Sequence, residues 1–130
     1  MSTQHGQHWL DRKDVGDVTV VRFRGPGLRA EEATRAIFHL LYGLVDEAGR
    51  RQLVLDLSAV ESLDSLAIGK VVMLNRKAQA AGGRLALCGL TPGVEEVFET
   101  MHLQGVLDFY ADERAALQSF LPPGGPEGSG

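Results

Sequence analysis

A carboxylate and a hydroxyl stand side by side where the pattern of the chain changes from strand to helix. Asp64 and Ser65 follow the apolar run 54–57 and a short polar crossover. Asp64 is a favoured N-cap residue, which places Ser65 at the first position of the helix. A phosphate on Ser65 would lie beside free backbone N–H groups at the positive end of the helix, and would add about 1.5 to 2 negative charges next to Asp64. From the residues alone, the pair is either an ordinary helix start or a regulatory phosphorylation site.

The predicted helix, from about Ser65 to Ala81, has an apolar face and a mixed face. The apolar face repeats small and branched residues at helical spacing, namely Ala67, Val71, Leu74, Ala78 and Ala81. The residues that project away from this stripe are Leu66, Gly69, Lys70, Met73, Lys77 and Ala80. Exposed apolar side chains at Leu66 and Met73, beside cations and close to Ser65, would indicate a protein-binding face. The alternative is that they are ordinary isolated apolar residues or are covered by another element.

Catalytic chemistry has little support in the other polar residues. Asp56, Glu61 and Asp64 could cluster at the end of a strand and suggest metal-assisted chemistry, but no base, oxyanion donor set or substrate clamp accompanies them. The four histidines have no cysteine or histidine at metal-ligand spacing. Cys88 lies in an apolar strand, where a buried and inert thiol is expected. We therefore predict no enzyme activity, no catalytic or metal-binding residues and no cofactor.

The composition is that of one acidic globular domain. The chain has 130 residues, of which 44% are hydrophobic, and this is enough for a single core. Its net charge is −4 and its 13 Lys and Arg are scattered, so nucleic acid is not an expected partner. No apolar run approaches the roughly 18 residues of a membrane span, and the first residues lack a signal-peptide pattern. A single cysteine fits a reducing compartment, and we predict a cytoplasmic protein without membrane insertion.

The elements that position Ser65 are predicted to alternate along the chain. Strands are expected from Trp9 onward and at about 18–24, 52–57, 84–89 and 106–110, and helices at about 30–48, 65–81, 92–102 and 111–120. This order, β-β-α-β-α-β-α-β-α, predicts an α/β fold with a mixed, mainly parallel five-stranded sheet and about four helices. Residues 1–7 and the Pro/Gly-rich tail 121–130 are predicted to be flexible, which leaves 8–120 as the domain. The core face of the first helix is predicted to contain Ala33, Ile37, Leu40, Leu41, Leu44 and Ala48.

The segments around Ser65 resemble those of a known family. They are the strand 53–58, the crossover 60–65, the helix end 78–83, the strand 84–88 and the later segment 103–108. In this order and spacing, they make the chain similar to a STAS domain of the single-domain anti-sigma factor antagonist type. The resemblance covers about Trp9 to Phe120 and agrees with the predicted order of elements.

The resemblance implies a function in reversible protein binding. In such proteins, the serine after the crossover aspartate accepts phosphate from an anti-sigma factor that is also a serine kinase, and the unphosphorylated form binds that kinase and releases a sigma factor. The corresponding residues here are Asp64 and the phospho-acceptor Ser65. The ATP and magnesium of that reaction would belong to the kinase. The expected partner-binding residues are Asp64, Ser65, Leu66, Gly69, Lys70, Met73 and Lys77.

Two departures from the family pattern keep other functions open. Leu66 and Ala67 stand where the family usually has Ser or Thr and then Gly, and segment 27–30 lacks an aspartate usual before the first long helix. The main alternative is therefore a STAS scaffold or accessory subunit of a signalling or membrane transport complex, without phosphorylation. A third possibility is a domain that binds a nucleotide or another small ligand.

Overall fold

The computed structural model describes residues 10–24, 27–28 and 31–120, in which strands and helices alternate. The strands are β1 (Leu10–Val15), β2 (Val18–Phe23), β3 (Gly27–Leu28), β4 (Gln52–Asp56), β5 (Ser62–Leu63), β6 (Arg84–Cys88) and β7 (Asp108–Tyr110). The helices are α1 (Glu31–Asp46), α2 (Ser65–Ala80), α3 (Pro92–Thr100) and α4 (Glu113–Gln118). Trp9 and the two segments predicted to be flexible, 1–7 and 121–130, lie outside the described residues.

Five of the strands form the main sheet, in the order β1-β2-β4-β6-β7. β1 and β2 make an antiparallel hairpin that turns at Gly16, whose φ of 61° favours glycine. The β2–β4, β4–β6 and β6–β7 pairs are parallel, as expected for strands that helical crossovers connect. The prediction of a mixed, mainly parallel five-stranded sheet with four helices is confirmed.

One face of the sheet carries α1, α2 and α3, and the main hydrophobic core lies between them. Alternate residues of β4, Leu53 and Leu55, point into this core, as the two-residue period of a strand requires. Each large apolar side chain that is fully buried here contributes about 1.5–3 kcal/mol to stability. The bulky side chains with an exposed fraction of 2% or less include Phe23, Phe38, Leu53, Leu55, Leu74 and Phe98.

The opposite face of the sheet is covered by the short helix α4. Val20, Val54 and Cys88 of three adjacent strands form a second, smaller core with Ala116 of this helix. Burial, with the nearby charge of Asp56, raises the pKa of the Cys88 thiol to about 12. Cys88 is therefore buried as predicted, and its raised pKa disfavours the reactive thiolate.

The helix α1 buries the predicted core residues Ile37 and Leu41, but its core face is rotated from the predicted one. Leu40, which was expected in the core, is 41% exposed, and Ala48 is also exposed. The core instead receives Thr34, Phe38 and Val45. Both stripes repeat at helical spacing, so the sequence pattern alone could not select between them.

In α2, the predicted core residue Ala81 is likewise exposed, because it is the C-cap residue that follows the helix.

Two short strands were not predicted. Gly27 was expected in a turn, but β3 pairs in parallel with β5, with Leu28 opposite Leu63. The last strand of the sheet begins at Asp108 instead of 106, because the Leu103 carbonyl accepts the backbone N–H groups of Val106 and Leu107. These corrections leave the sheet order unchanged. β5 lies directly before α2, so its pairing with β3 helps to position the first residue of α2.

Candidate functional site

The crossover between β4 and α2 is fixed by hydrogen bonds at several points. The Leu57 N–H donates to the Cys88 carbonyl (2.9 Å), and the Thr91 hydroxyl donates to the Val60 carbonyl (2.9 Å). The side chains of Leu57 and Val60 are buried in the core. A loop held in this way by neighbouring elements presents the start of α2 in a defined position.

At the start of α2, Asp64 caps the helix and Ser65 is its first residue. Asp64 has extended backbone angles, and its Oδ1 accepts the N–H of Ala67 at 2.9 Å. Asp64 and Ser65 are both exposed. The first N–H groups of an α-helix have no intrahelical acceptor, so the Ser65 hydroxyl lies beside polar groups that favour an anion. The predicted juxtaposition of Asp64 and Ser65 at the helix start is therefore present.

Beyond Ser65, α2 presents an open surface. Gly69, one turn further along, is exposed, and a Cβ atom added there would meet nothing within 4 Å apart from its chain neighbours and the backbone of its own helix. Met73, another turn along, has an exposed fraction of 44%. Leu66 was expected to be exposed but is half-buried. Ser65, Gly69 and Met73, with the half-buried Leu66, form what we call the α2 surface.

Lys70 and Lys77, which were predicted to bind the partner, do not belong to the α2 surface, because they pack against α1. Their ammonium groups lie over the ring of Tyr42, with distances to its centroid of 5.9 Å for Lys70 and 5.3 Å for Lys77. Lys77 also forms an ion pair with Asp46 (2.9 Å). The Tyr42 hydroxyl donates to the Lys70 carbonyl (3.3 Å), and burial raises the pKa of Tyr42. These contacts join the edge of the α2 surface to α1.

Tyr42 is a part of this region that the sequence analysis missed. Its own position in the sequence carries no sign of a role, because tyrosine is ordinary in an amphipathic helix. The signal that was available is topological, since the helices before and after β4 both connect parallel strands of the sheet and can lie side by side on one face. α1 and α2 do pack together in this way.

The residue that follows Leu66 belongs to the core. Ala67 has an exposed fraction of 0%, and its N–H is the group that Asp64 caps. Ala67, which stands where the family usually has a glycine, therefore packs beneath the helix, and Ser65 and Leu66 remain on its outer side. Of the two residues of α2 that depart from the family pattern, only Leu66 is partly at the surface.

The three acidic residues considered for metal chemistry do not form one site. Asp56 points to the opposite face of the sheet, where it accepts the Ser58 N–H (2.9 Å) and pairs with Arg22 (3.4 Å), whereas Asp64 caps α2. Burial raises the pKa of Asp56, but hydrogen bonds with Glu113 and Ser58 and the charge of Arg22 outweigh it and lower the pKa overall. Across the described residues, no three His, Cys, Asp or Glu side chains are grouped as a metal site would require.

Comparisons with known proteins agree with this architecture. A family model described as the STAS domain matches residues 10–116. A candidate anti-sigma factor antagonist of Bordetella bronchiseptica, BtrV, is 30% identical over 74 residues, which are 57% of this chain and 64% of that protein. The aligned segment thus spans less than two thirds of this relative's length.

In the part of the chain that the structure describes, none of the helices has the length and apolar character needed to cross a membrane.

Solved structures show the same fold. A candidate anti-sigma factor antagonist of Thermotoga maritima, tm1081, has a TM-score of 0.74 and 26% identity, and the match covers 90% of this chain and 97% of that one. The Bacillus cell fate determinant SpoIIAA in its phosphorylated form has a TM-score of 0.66 and 19% identity, with 85% and 98% of the two chains covered. At that level of identity, the second match reports on the fold alone.

Proposed function

Because this chain belongs to the STAS domain family, we propose that it is an anti-sigma factor antagonist that phosphorylation of Ser65 switches off. In its unphosphorylated state, the α2 surface binds an anti-sigma factor that is also a serine kinase, or a similar regulatory protein. The relatives named as anti-sigma factor antagonists support this assignment. The protein acts by reversible binding in the cytoplasm, and the partner supplies any catalysis.

The observation that carries the proposal is the position of Ser65. Its side chain is exposed at the first turn of α2, next to the Asp64 cap and on the same helix as the open surface at Gly69 and Met73. A kinase can reach a hydroxyl in this position without unfolding the domain. A partner seated over Gly69 and Met73 would also be within reach of any charge placed on Ser65.

The helix start explains how a phosphate could be held and still oppose binding. The free N–H groups of the first turn and the helix dipole stabilise the phosphate locally. The same group adds about 1.5 to 2 negative charges beside the exposed Asp64 carboxylate, and these charges must lose water when a partner docks. A penalty of about 1.4 kcal/mol lowers affinity tenfold, which is sufficient for a switch.

A second candidate function rests on the side chain next to Ser65. Leu66 places a half-buried apolar group where the family usually has a small hydroxyl residue. Such a group favours a permanent apolar contact, as in a scaffold or an accessory subunit that is never phosphorylated. The two functions differ in their response to a charge at Ser65.

The test is a comparative pull-down from the source cytosol with tagged wild type, Ser65→Glu and Gln79→Glu. Gln79 is exposed near the opposite end of α2, so Gln79→Glu adds the same charge to the same helix far from Ser65. We expect a regulator or an ATPase that wild type and Gln79→Glu retain and that Ser65→Glu binds at least about tenfold more weakly. Incubation of wild type with that partner and Mg-ATP should then add one phosphate, which Ser65→Ala does not receive.

Equal retention of the same partner by all three baits would contradict the switch and support the scaffold. A phosphate that maps to another residue would contradict the role of Ser65 even if binding changed. Loss of the partner by both Ser65→Glu and Gln79→Glu would indicate a general effect of negative charge on α2 and would contradict a switch at Ser65.

A further inference from the structure

A second surface feature lies away from Ser65, between α3 and the edge of the sheet. It is a groove of about 370 Å³, within the size range of ligand-binding sites. Its lining includes Phe98 of α3 and Phe109 of β7, whose ring centroids are 5.3 Å apart. Phe98 is 1% exposed and Phe109 is half-buried, so the groove has an aromatic base. We call this feature the α3–β7 groove.

Among the described strands, the one beside this groove has an open edge. β7 is the last strand in the order of the sheet and pairs with β6. The outer edge of such a strand presents backbone N–H and C=O groups that another strand can pair with. Phe109 points from β7 toward α3, so alternate side chains of an added strand would enter the groove next to it. The edge and the groove therefore suit one extended segment.

The rim of the groove is acidic. Glu95 and Glu99 of α3 line it, and both are exposed; among the described residues that line the groove, there is no lysine, arginine or histidine. The two glutamates are four residues apart on one helix, a spacing at which like charges repel. Glu99 also lies in the last turn of α3, at the negative end of the helix dipole. A bound cation would relieve both unfavourable interactions.

From these three features, we propose that the α3–β7 groove binds an extended segment of another protein that carries a lysine or arginine. The backbone of the segment pairs with the edge of β7, an apolar side chain contacts Phe109, and the basic side chain pairs with Glu95 and Glu99. This binding is independent of Ser65. The protein would then have two interaction surfaces, one on α2 and one at the sheet edge.

The probe is a displayed library of random short peptides, selected on the full-length wild-type chain. We expect enriched sequences in which a lysine or arginine lies beside β-branched or aromatic residues. Addition of a selected peptide should shift NMR signals of Phe98, Glu99 and Phe109 and slow amide exchange at Asp108–Tyr110. The double variant Glu95→Gln/Glu99→Gln should weaken binding roughly tenfold or more, since hydrogen bonds to charged groups are the strong ones.

Two control variants separate the possible outcomes. Glu96→Gln changes an exposed glutamate of the same helix that does not line the groove, and it should leave affinity unchanged. Ser65→Glu should also bind the peptide normally, so this test and the test of the α2 surface can fail separately. Equal weakening by Glu96→Gln, enrichment of acidic peptides or an absence of enrichment would overturn the proposal. Arginine amide alone binding as tightly as the peptide would show a small-cation site and overturn strand addition.

Discussion

At the scale of single residues, Asp64 combines two properties that can be separated. Its side chain caps α2 by accepting the Ala67 N–H at 2.9 Å, and its charge is exposed next to Ser65. Asparagine caps helices about as well as aspartate but carries no charge, whereas alanine neither caps a helix well nor carries a charge. A second cap of the same kind occurs at the start of α4, where Asp112 accepts the Ala115 N–H at 2.9 Å.

We predict that Asp64→Ala lowers the free energy of unfolding by about 1 kcal/mol and that Asp64→Asn changes it by only a few tenths. Both variants should alter affinity for the partner of the α2 surface, because both remove the exposed charge. Urea denaturation and a binding titration with that partner give the two quantities. Asp112→Ala is the matched control, with a similar loss of stability and no change in affinity. Unaltered affinity in Asp64→Asn would assign Asp64 a capping role only.

At the scale of the secondary structure elements, the glycine in the middle of α2 is unfavourable for the helix itself. A glycine at such a position costs roughly 0.5–1 kcal/mol relative to alanine. Space inside the molecule does not require it, because a Cβ atom at Gly69 would meet nothing within 4 Å apart from its chain neighbours and the backbone of its own helix. An exposed glycine next to Ser65 does allow the backbone of a partner to approach closely. The proposed docking of a partner on the α2 surface would account for this glycine.

We predict that Gly69→Ala raises the free energy of unfolding by about 0.5–1 kcal/mol and at the same time weakens partner binding. Gly43 provides the control, because it lies inside α1, and an added Cβ would make an ordinary contact of 3.6 Å with Glu47. Gly43→Ala should give a similar gain in stability with unchanged affinity. Thermal or urea unfolding and the same binding titration measure both effects. A more stable Gly69→Ala that binds normally would exclude close approach at this position.

The elements also show which parts of the site the sequence could predict. The start of α2 was predictable because Asp64 is a strong local signal and the apolar period changes there from strand to helix. The surroundings of Lys70 and Lys77 were not, because their contacts with Tyr42 and Asp46 come from the packing of α2 on α1. The rotated core face of α1 and the β3–β5 pair could not be predicted for the same reason. Several local sequence patterns are equally compatible with these segments, and contacts with distant parts of the chain select one of them.

At the scale of the whole molecule, the two faces of the sheet are protected unequally. Three helices cover one face, whereas on the other face the described residues provide only α4, which has six residues. Such a short helix has little stability of its own. It is held at its start by Arg22, which donates to Glu113 (2.8 Å), and at its end by Arg84, which donates to the Ser119 carbonyl (2.8 Å).

The thiol beneath α4 can report whether this helix detaches on its own. Cys88 has an exposed fraction of 0% and packs in the same small core as Ala116, so a thiol reagent reaches it only after α4 moves or the domain unfolds. Arg84 also stacks on the Phe120 ring, with 4.1 Å to its centroid. We predict that Arg84→Ala increases the rate of Cys88 modification by a thiol reagent about tenfold or more, because a charge-assisted hydrogen bond contributes roughly 1.5–3 kcal/mol.

The control for this prediction is Arg114→Ala, which changes an exposed arginine on α4 itself and should leave the modification rate close to that of wild type. The rates must be compared with the free energy of unfolding of each variant from urea denaturation. If α4 detaches locally, Cys88 in Arg84→Ala reacts faster than global unfolding allows. If the rate instead follows global stability in every variant, α4 and the sheet unfold as one cooperative unit, and Arg84 stabilises the whole domain.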